Sequence, residues 1–142
     1  MTRAELVAFL RRYRLAVEAT VAANGAPQAA VVGFAVSDGL EIVFDTLDAT
    51  RKYRNLQADP RIALVIGWDR EITAQIEGHA DTPTGAELER IRACYFQAYP
   101  DGRERLGWPG LTHVRVRPTW VRFSDFTQAP PRIVELEVSR LA

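Results

Sequence analysis

Two hydroxyl side chains followed by two cations form the group of residues in this chain best suited to binding chemistry. Thr46 and Thr50 precede Arg51 and Lys52, and Lys52 is the only lysine among 18 basic residues. No basic residue occurs in positions 15–50. An apolar run precedes the group and a helical pattern follows it, so both cations fall in the first turn of a helix. A helix start offers backbone N–H groups and a positive dipole end, and this arrangement predicts a phosphate site.

Composition alone leaves a simpler interpretation of Lys52 open. An arginine-rich chain can retain one lysine by chance, on a solvated helix that binds nothing.

Length, hydrophobic content and charge balance indicate what class of protein this is. A chain of 142 residues with 47% hydrophobic residues predicts one domain over residues 1–142, with a sizeable core. The 18 acidic residues balance the 18 basic ones, which argues against a nucleic-acid partner or an anionic membrane surface.

Other sequence signals exclude several locations and reaction types. The apolar runs are too short to span a membrane and the N-terminus is too charged for a signal peptide, so we expect a cytoplasmic protein. Cys94 is the only cysteine, which excludes an internal disulfide, and its spacing from His79 and His113 predicts no metal site. We expect all three side chains to be structural. The sequence motifs of serine hydrolases and P-loop proteins are missing.

The hydrophobic pattern predicts strands framed by short helices. Thr2 and Glu5 fit a capping box, and Asn24-Gly25 and Asp38-Gly39 predict two tight hairpin turns. The Asp59-Pro60 pair should end the central helix. The predicted elements are a helix from residue 2, strands at 15–23, 28–36 and 40–46, a helix at 49–58, strands at 61–68 and 72–80, a helix at 83–99, an irregular segment at 100–110 and a strand at 111–123. Antiparallel hairpins dominate this order, which favours a small β-barrel over a doubly wound sheet.

Two segments of the chain carry a resemblance to a known family. The first is Phe44-Asp45-Thr46-x-x-x-Thr50-Arg51-Lys52-x-x-Asn55-Leu56-x-x-Asp59-Pro60-Arg61, and the second is the strand Thr73-Ala74-Gln75-Ile76-Glu77-Gly78. Together they resemble the pyridoxamine 5′-phosphate oxidase-like split-barrel flavoproteins, over about residues 5–123. The resemblance implies a mainly β fold, a six-stranded antiparallel split β-barrel of the FMN-binding type. It also implies a homodimer with FMN in clefts at the interface.

The resemblance assigns cofactor-binding roles position by position. Arg51 and Lys52 would hold the FMN phosphate, and Thr50 would bond it where the family usually has serine. Phe44, Asp45 and Thr46 would line the ribityl chain or the ring edge. Backbone groups around Val31 on the second strand would lie against the isoalloxazine. Gln75 would reach the polar edge of the ring from the neighbouring subunit. No side chain is assigned a catalytic role, because the flavin itself would carry hydride or electrons.

Departures from the family pattern limit the expected substrate. The oxidases that act on pyridoxamine phosphate carry basic residues on the second strand, whereas this chain has none there, and residues 124–132 contain no histidine. Oxidation of vitamin B6 phosphates is therefore disfavoured. We expect an FMN-dependent oxidoreductase or flavin reductase-like protein that uses NAD(P)H or a small-molecule substrate. Two alternatives remain: a reductase that uses the deazaflavin F420 on the same barrel, and a non-catalytic barrel that stores flavin or binds haem.

Overall fold

The computed structural model describes all 142 residues and has eight strands and three α-helices. The strands are β1 (Leu15–Val21), β2 (Pro27–Gly33), β3 (Ala35–Val36), β4 (Ile42–Leu47), β5 (Arg61–Ile66), β6 (Ile72–Asp81), β7 (Leu111–Asp125) and β8 (Arg132–Glu137). The α-helices are α1 (Arg3–Leu10), α2 (Arg51–Ala58) and α3 (Gly85–Ala98), and two 3₁₀ helices span Pro100–Gly107 and Val138–Arg140. None of the helices is long and apolar enough to cross a lipid bilayer.

The strands form an antiparallel barrel with one open seam. Their order is β2-β1-β5-β6-β7-β4-β3, and Phe34 alone separates β2 from β3 in the chain. Counting β2 and β3 as one interrupted strand gives six strands in a closed circuit, which confirms the predicted six-stranded split barrel. β2 lies beside β4 without pairing with it, and this gap is the split. β8 lies outside the circuit and pairs only with β7.

Three sequence predictions differ from the observed elements. The strand predicted at 28–36 is divided at Phe34, because its first part pairs with β1 and its end pairs with β4. The second hairpin turn places Leu40, rather than Gly39, in the left-handed region with φ of 64°. β8 was not predicted, although Val134 and Leu136 alternate with Glu135 and Glu137; it lies outside the circuit, pairs only with β7 and has no fully buried residue.

Helix α1 fills the barrel from one end. Its start is capped as the sequence predicts, because Thr2 Oγ1 accepts from the Glu5 N–H at 3.2 Å and Glu5 Oε2 accepts from the Thr2 N–H at 2.7 Å. Leu6 and Leu10 are fully buried in the main core, together with Ile42 from β4. Removing such side chains from water is the principal stabilisation of a barrel of this size.

A second, smaller core lies on the outside of the barrel under α3. Ile91, Tyr95 and Phe96 of α3 pack against Ala35 of β3 and Val43 of β4. Strand β4 is therefore covered on both faces, by the barrel interior on one side and by α3 on the other. This double cover decides which of its side chains remain available to a ligand.

Candidate functional site

A cleft of about 410 Å³ lies between the start of α2 and the first two strands. The residues that line it are Glu18, Thr20, Pro27, Gln28, Ala29, Ala30, Arg51 and Lys52. Because β2 pairs only with β1, the backbone N–H and C=O groups of its other edge are free of sheet bonds. The cleft thus combines two cations with an unpaired strand edge.

Two threonines determine where α2 begins. Thr50 is the N-cap residue, and the Tyr53 N–H donates to its hydroxyl oxygen at 3.4 Å. The Thr50 hydroxyl donates to the Leu47 carbonyl at 2.9 Å, so its 2.9 Å bond with Thr46 uses the Thr46 proton. A phosphate bond from Thr50 would require its bond to Leu47 to break. In this structure, the main task of the two hydroxyls is to hold the turn that presents the next residues.

Arg51 and Lys52 follow this cap in the first turn of α2, as predicted. Arg51 is exposed and Lys52 is half-buried, and neither takes part in any of the twelve ion pairs of the protein. The positive end of the helix dipole adds to their charge. The start of α2 is therefore an electropositive surface with no carboxylate bound to it.

Asn55 ties α2 to the strands that form the rest of the cleft. Its side chain is 8% exposed, and its amide donates to Thr20 Oγ1 at 3.0 Å and to Gln28 Oε1 at 2.6 Å. Thr20 lies on β1 and Gln28 on β2, so one side chain fixes the helix against both strands. The sequence motif included Asn55 but predicted no role for it, because its partners lie 35 and 27 residues away.

Glu18 is the functional candidate that sequence reasoning missed. It is 1% exposed, lines the cleft, and its Oε2 atom has no hydrogen-bond partner. Burial raises the pKa of this carboxyl group, and the nearby charge of Lys52 partly opposes the increase. A signal was present in the sequence, since the alternation of β1 places Ala16, Glu18 and Thr20 on the inward face.

The structure does not bring the predicted side chains of β4 into the cleft. Phe44 is fully buried in the main core. Asp45 points to the opposite face, where its carboxylate accepts from Arg105 Nε at 2.9 Å and from the Tyr95 hydroxyl at 3.2 Å. The side chains of Phe44 and Asp45 are thus directed away from the cleft, and the prediction that residues 44–46 line the ribityl chain or the ring edge of FMN remains a prediction. Thr46 lies near the cleft, but it is 9% exposed and bonded to Thr50.

Val31 and Gln75 lie on the outer face of the barrel, outside the cleft. The register places Val31, Val17, Val65 and Gln75 in one row across β2, β1, β5 and β6. Three strand spacings separate Val31 from Gln75, which is about 14 Å. Both side chains are exposed, Val31 at 59%. Within one chain, Gln75 therefore does not meet the cleft, and the prediction that it acts from a neighbouring subunit remains a prediction.

The sequence matches the family model described as pyridoxamine 5′-phosphate oxidase over residues 2–125. Among curated proteins, the pyridoxine/pyridoxamine 5′-phosphate oxidase of Thermosynechococcus vestitus is 36% identical over 91 residues, which are 63% of this chain and 41% of that protein. The corresponding protein of Bordetella avium is 30% identical over 123 residues, 80% of this chain and 57% of that protein. The chain thus spans about half the length of the curated relatives it matches.

Solved structures share the fold at lower identity. A haem-binding protein from Mycobacterium smegmatis superposes with a TM-score of 0.83 at 22% identity, covering 98% of this chain and 59% of that one. A pyridoxamine 5′-phosphate oxidase-related, FMN-binding protein from Nostoc punctiforme gives a TM-score of 0.71 at 14% identity, covering 95% of this chain and 86% of that one. At these identities the likeness establishes the barrel alone. The match of the family model to nearly the whole chain shows that the protein belongs to the pyridoxamine 5′-phosphate oxidase family.

Proposed function

We propose that this protein binds FMN and acts as an FMN-dependent oxidoreductase of the flavin reductase type. The observation that carries the proposal is the pair of unpaired cations, Arg51 and Lys52, at the capped start of α2 in a cleft beside the free edge of β2. The description of the Nostoc punctiforme protein as FMN-binding, on the same fold, supports the choice of cofactor.

The residues of the cleft fit a phosphate ester. The Arg51 guanidinium and the Lys52 ammonium can both donate charge-assisted hydrogen bonds to phosphate oxygens, and the first N–H groups of α2 have no partners within the helix. The free edge of β2 offers backbone donors and acceptors to the polar groups of a flavin ring. Bound FMN would supply hydride and electron transfer, so the side chains serve to bind, orient and shield it.

The substrate is proposed to be a nicotinamide cofactor or another small molecule rather than a vitamin B6 phosphate. A substrate that carries its own phosphate needs a second set of cations. β2 has no basic residue, and Arg51 and Lys52 are the only cations that line the cleft. The activities of the longer curated relatives are therefore not carried over to this chain.

A homodimer is the proposed assembly, and the outer face of the barrel is its proposed interface. Val31, Val17 and Val65 face one another on three adjacent strands, and Leu15 and Val31 are 48% and 59% exposed. A contiguous apolar surface of this kind commonly marks a protein interface. Such a contact would place the partner beside β2 and would bring a Gln75 side chain to the cofactor from the other subunit. Sedimentation of the purified protein, with Val31→Glu as the disrupting variant, tests this assembly.

The cofactor is tested by the visible spectrum of the purified protein and by identification of what denaturation releases. We expect a flavin spectrum, released FMN, and bleaching by NADH or NADPH. FMN that no nicotinamide reduces would favour storage over reduction. Release of F420 or of haem, with no FMN, would reject the proposal in favour of the corresponding alternative.

The phosphate site is tested with Arg51→Ala and Lys52→Ala. Each loss of a charge-assisted contact should weaken FMN binding by about ten- to a hundred-fold, because such a bond contributes about 1.5–3 kcal/mol. Arg54→Ala is the matched control, since Arg54 is an exposed arginine of the same helix that does not line the cleft. Equal FMN affinity in the Arg51→Ala/Lys52→Ala double variant and in the control would reject the assignment.

A further inference from the structure

Glu18 is a buried carboxylate at a site that is otherwise suited to an anion. It is 1% exposed, it lies in the wall of the cleft that contains Arg51 and Lys52, and its Oε2 atom has no donor. Burying an ionisable oxygen without a hydrogen-bond partner is strongly unfavourable. A side chain of this kind at a ligand site indicates that the missing donor belongs to the ligand.

The neighbouring protein groups do not supply that donor. The Asn55 amide donates to Thr20 and to Gln28, and Lys52 forms no ion pair with Glu18. The remaining cleft residues on β2 are Pro27, which has no N–H, and two alanines. Glu18 therefore contributes to the wall of the cleft a buried carboxyl group whose Oε2 atom has no donor in the protein.

We propose that Glu18 accepts a hydrogen bond from a hydroxyl group of the bound ligand, so that the cleft selects phosphate esters of hydroxylated chains. This rests on the proposed function, since the ribityl chain of FMN carries hydroxyl groups next to its phosphate. A neutral hydroxyl suits the position because Arg51 and Lys52 already supply the positive charge for the phosphate. Glu18 is thus a specificity residue, distinct from the two cations that hold the phosphate.

Three flavins separate the two contributions by binding titration. FMN, riboflavin and lumiflavin carry, respectively, a phosphorylated ribityl chain, an unphosphorylated ribityl chain and a methyl group on the same ring. In the unmodified protein we expect riboflavin to bind about ten- to a hundred-fold more tightly than lumiflavin, as for a hydrogen bond to a charged group. Glu18→Leu should remove this preference and leave the ratio of FMN to riboflavin affinity unchanged. Lys52→Ala should lower the ratio of FMN to riboflavin affinity and leave the preference for riboflavin over lumiflavin unchanged.

Thermal unfolding without ligand provides a second readout. Glu18→Leu removes the unpartnered carboxylate and should raise the melting temperature, which also shows that the variant is folded. Glu18→Gln retains an acceptor oxygen at the same place and should keep part of the preference for riboflavin. These two variants distinguish a lost hydrogen bond from a damaged cleft.

The proposal is overturned if Glu18→Leu is folded and keeps the full preference for riboflavin over lumiflavin, or binds riboflavin more tightly than the unmodified protein does. If the unmodified protein binds none of the three flavins, the proposed function itself is wrong. The Glu18 proposal is then decided by comparing ribitol 5-phosphate with inorganic phosphate in thermal-shift titrations. Stabilisation by the ester alone, lost in Glu18→Leu, supports it, and equal stabilisation by both, or by neither, rejects it.

Discussion

Replacing Asn55 with alanine should loosen the contact between α2 and the two strands that form the cleft. The variant loses the hydrogen bonds to Thr20 at 3.0 Å and to Gln28 at 2.6 Å, and Asn55 is only 8% exposed, so water does not readily replace them. Each such bond contributes about 0.5–1.5 kcal/mol, which gives a loss of about 1–3 kcal/mol in the free energy of unfolding. For a domain of this size that lowers the melting temperature by roughly 2–4 °C per kcal/mol.

Urea unfolding followed by circular dichroism measures this loss directly. Gln57→Ala is the matched control, because Gln57 is an exposed amide on the same helix with no side-chain hydrogen bond, and it should change stability by less than about 0.5 kcal/mol. A double-mutant cycle with Thr20→Val isolates the coupling between Asn55 and Thr20. The reasoning is refuted if Asn55→Ala is no less stable than Gln57→Ala, or if the cycle gives no coupling.

Two further predictions concern groups outside the cleft. Arg115→Met should destabilise the protein by about 1.5–3 kcal/mol in urea unfolding, because the Arg115 side chain, 5% exposed, bonds to Asp81 at 2.6 Å and to Glu87 at 2.7 Å. A loss below about 0.5 kcal/mol would contradict this. Burial lowers the pKa of His113 in the folded protein below the ordinary value of 6.5, so its contribution to stability is full above pH 6.5 and is lost as the pH falls from there through the lowered pKa. His113→Phe should reduce that dependence, and the prediction fails if the variant keeps the pH profile of the unmodified protein.

Much of the fold could be predicted because its signals are local. The N-cap threonines of α1 and α2, the Asn24-Gly25 turn and the Asp59-Pro60 stop each act through neighbouring backbone groups, and the structure has all of them. The division of the second strand at Phe34 was not predictable in this way. It depends on which strands lie beside it, and that is decided by the closure of the barrel.

The candidate site was predicted only where its residues are consecutive. Arg51 and Lys52 follow the Thr50 cap directly, so the local pattern was sufficient to place them at the helix start. In β4, the structure makes Phe44 a core position, whereas the resemblance implied only a cofactor contact at this residue. Asp45 then had to face the other side, where α3 and Arg105 cover it.

By itself, the sequence determined most of the elements and the electropositive start of α2, because each depends on short-range backbone preferences or on a motif within a few residues. The six-stranded barrel was expected from the resemblance to the family. Only the tertiary structure decided that Glu18 and Thr20 face the same cleft as Lys52, and that Asn55 joins them. Glu18 and Thr20 precede Lys52 and Asn55 by more than thirty positions, and the two pairs meet only because α2 packs against β1. The burial of these residues and their hydrogen bonds therefore follow from the tertiary packing and not from the local sequence.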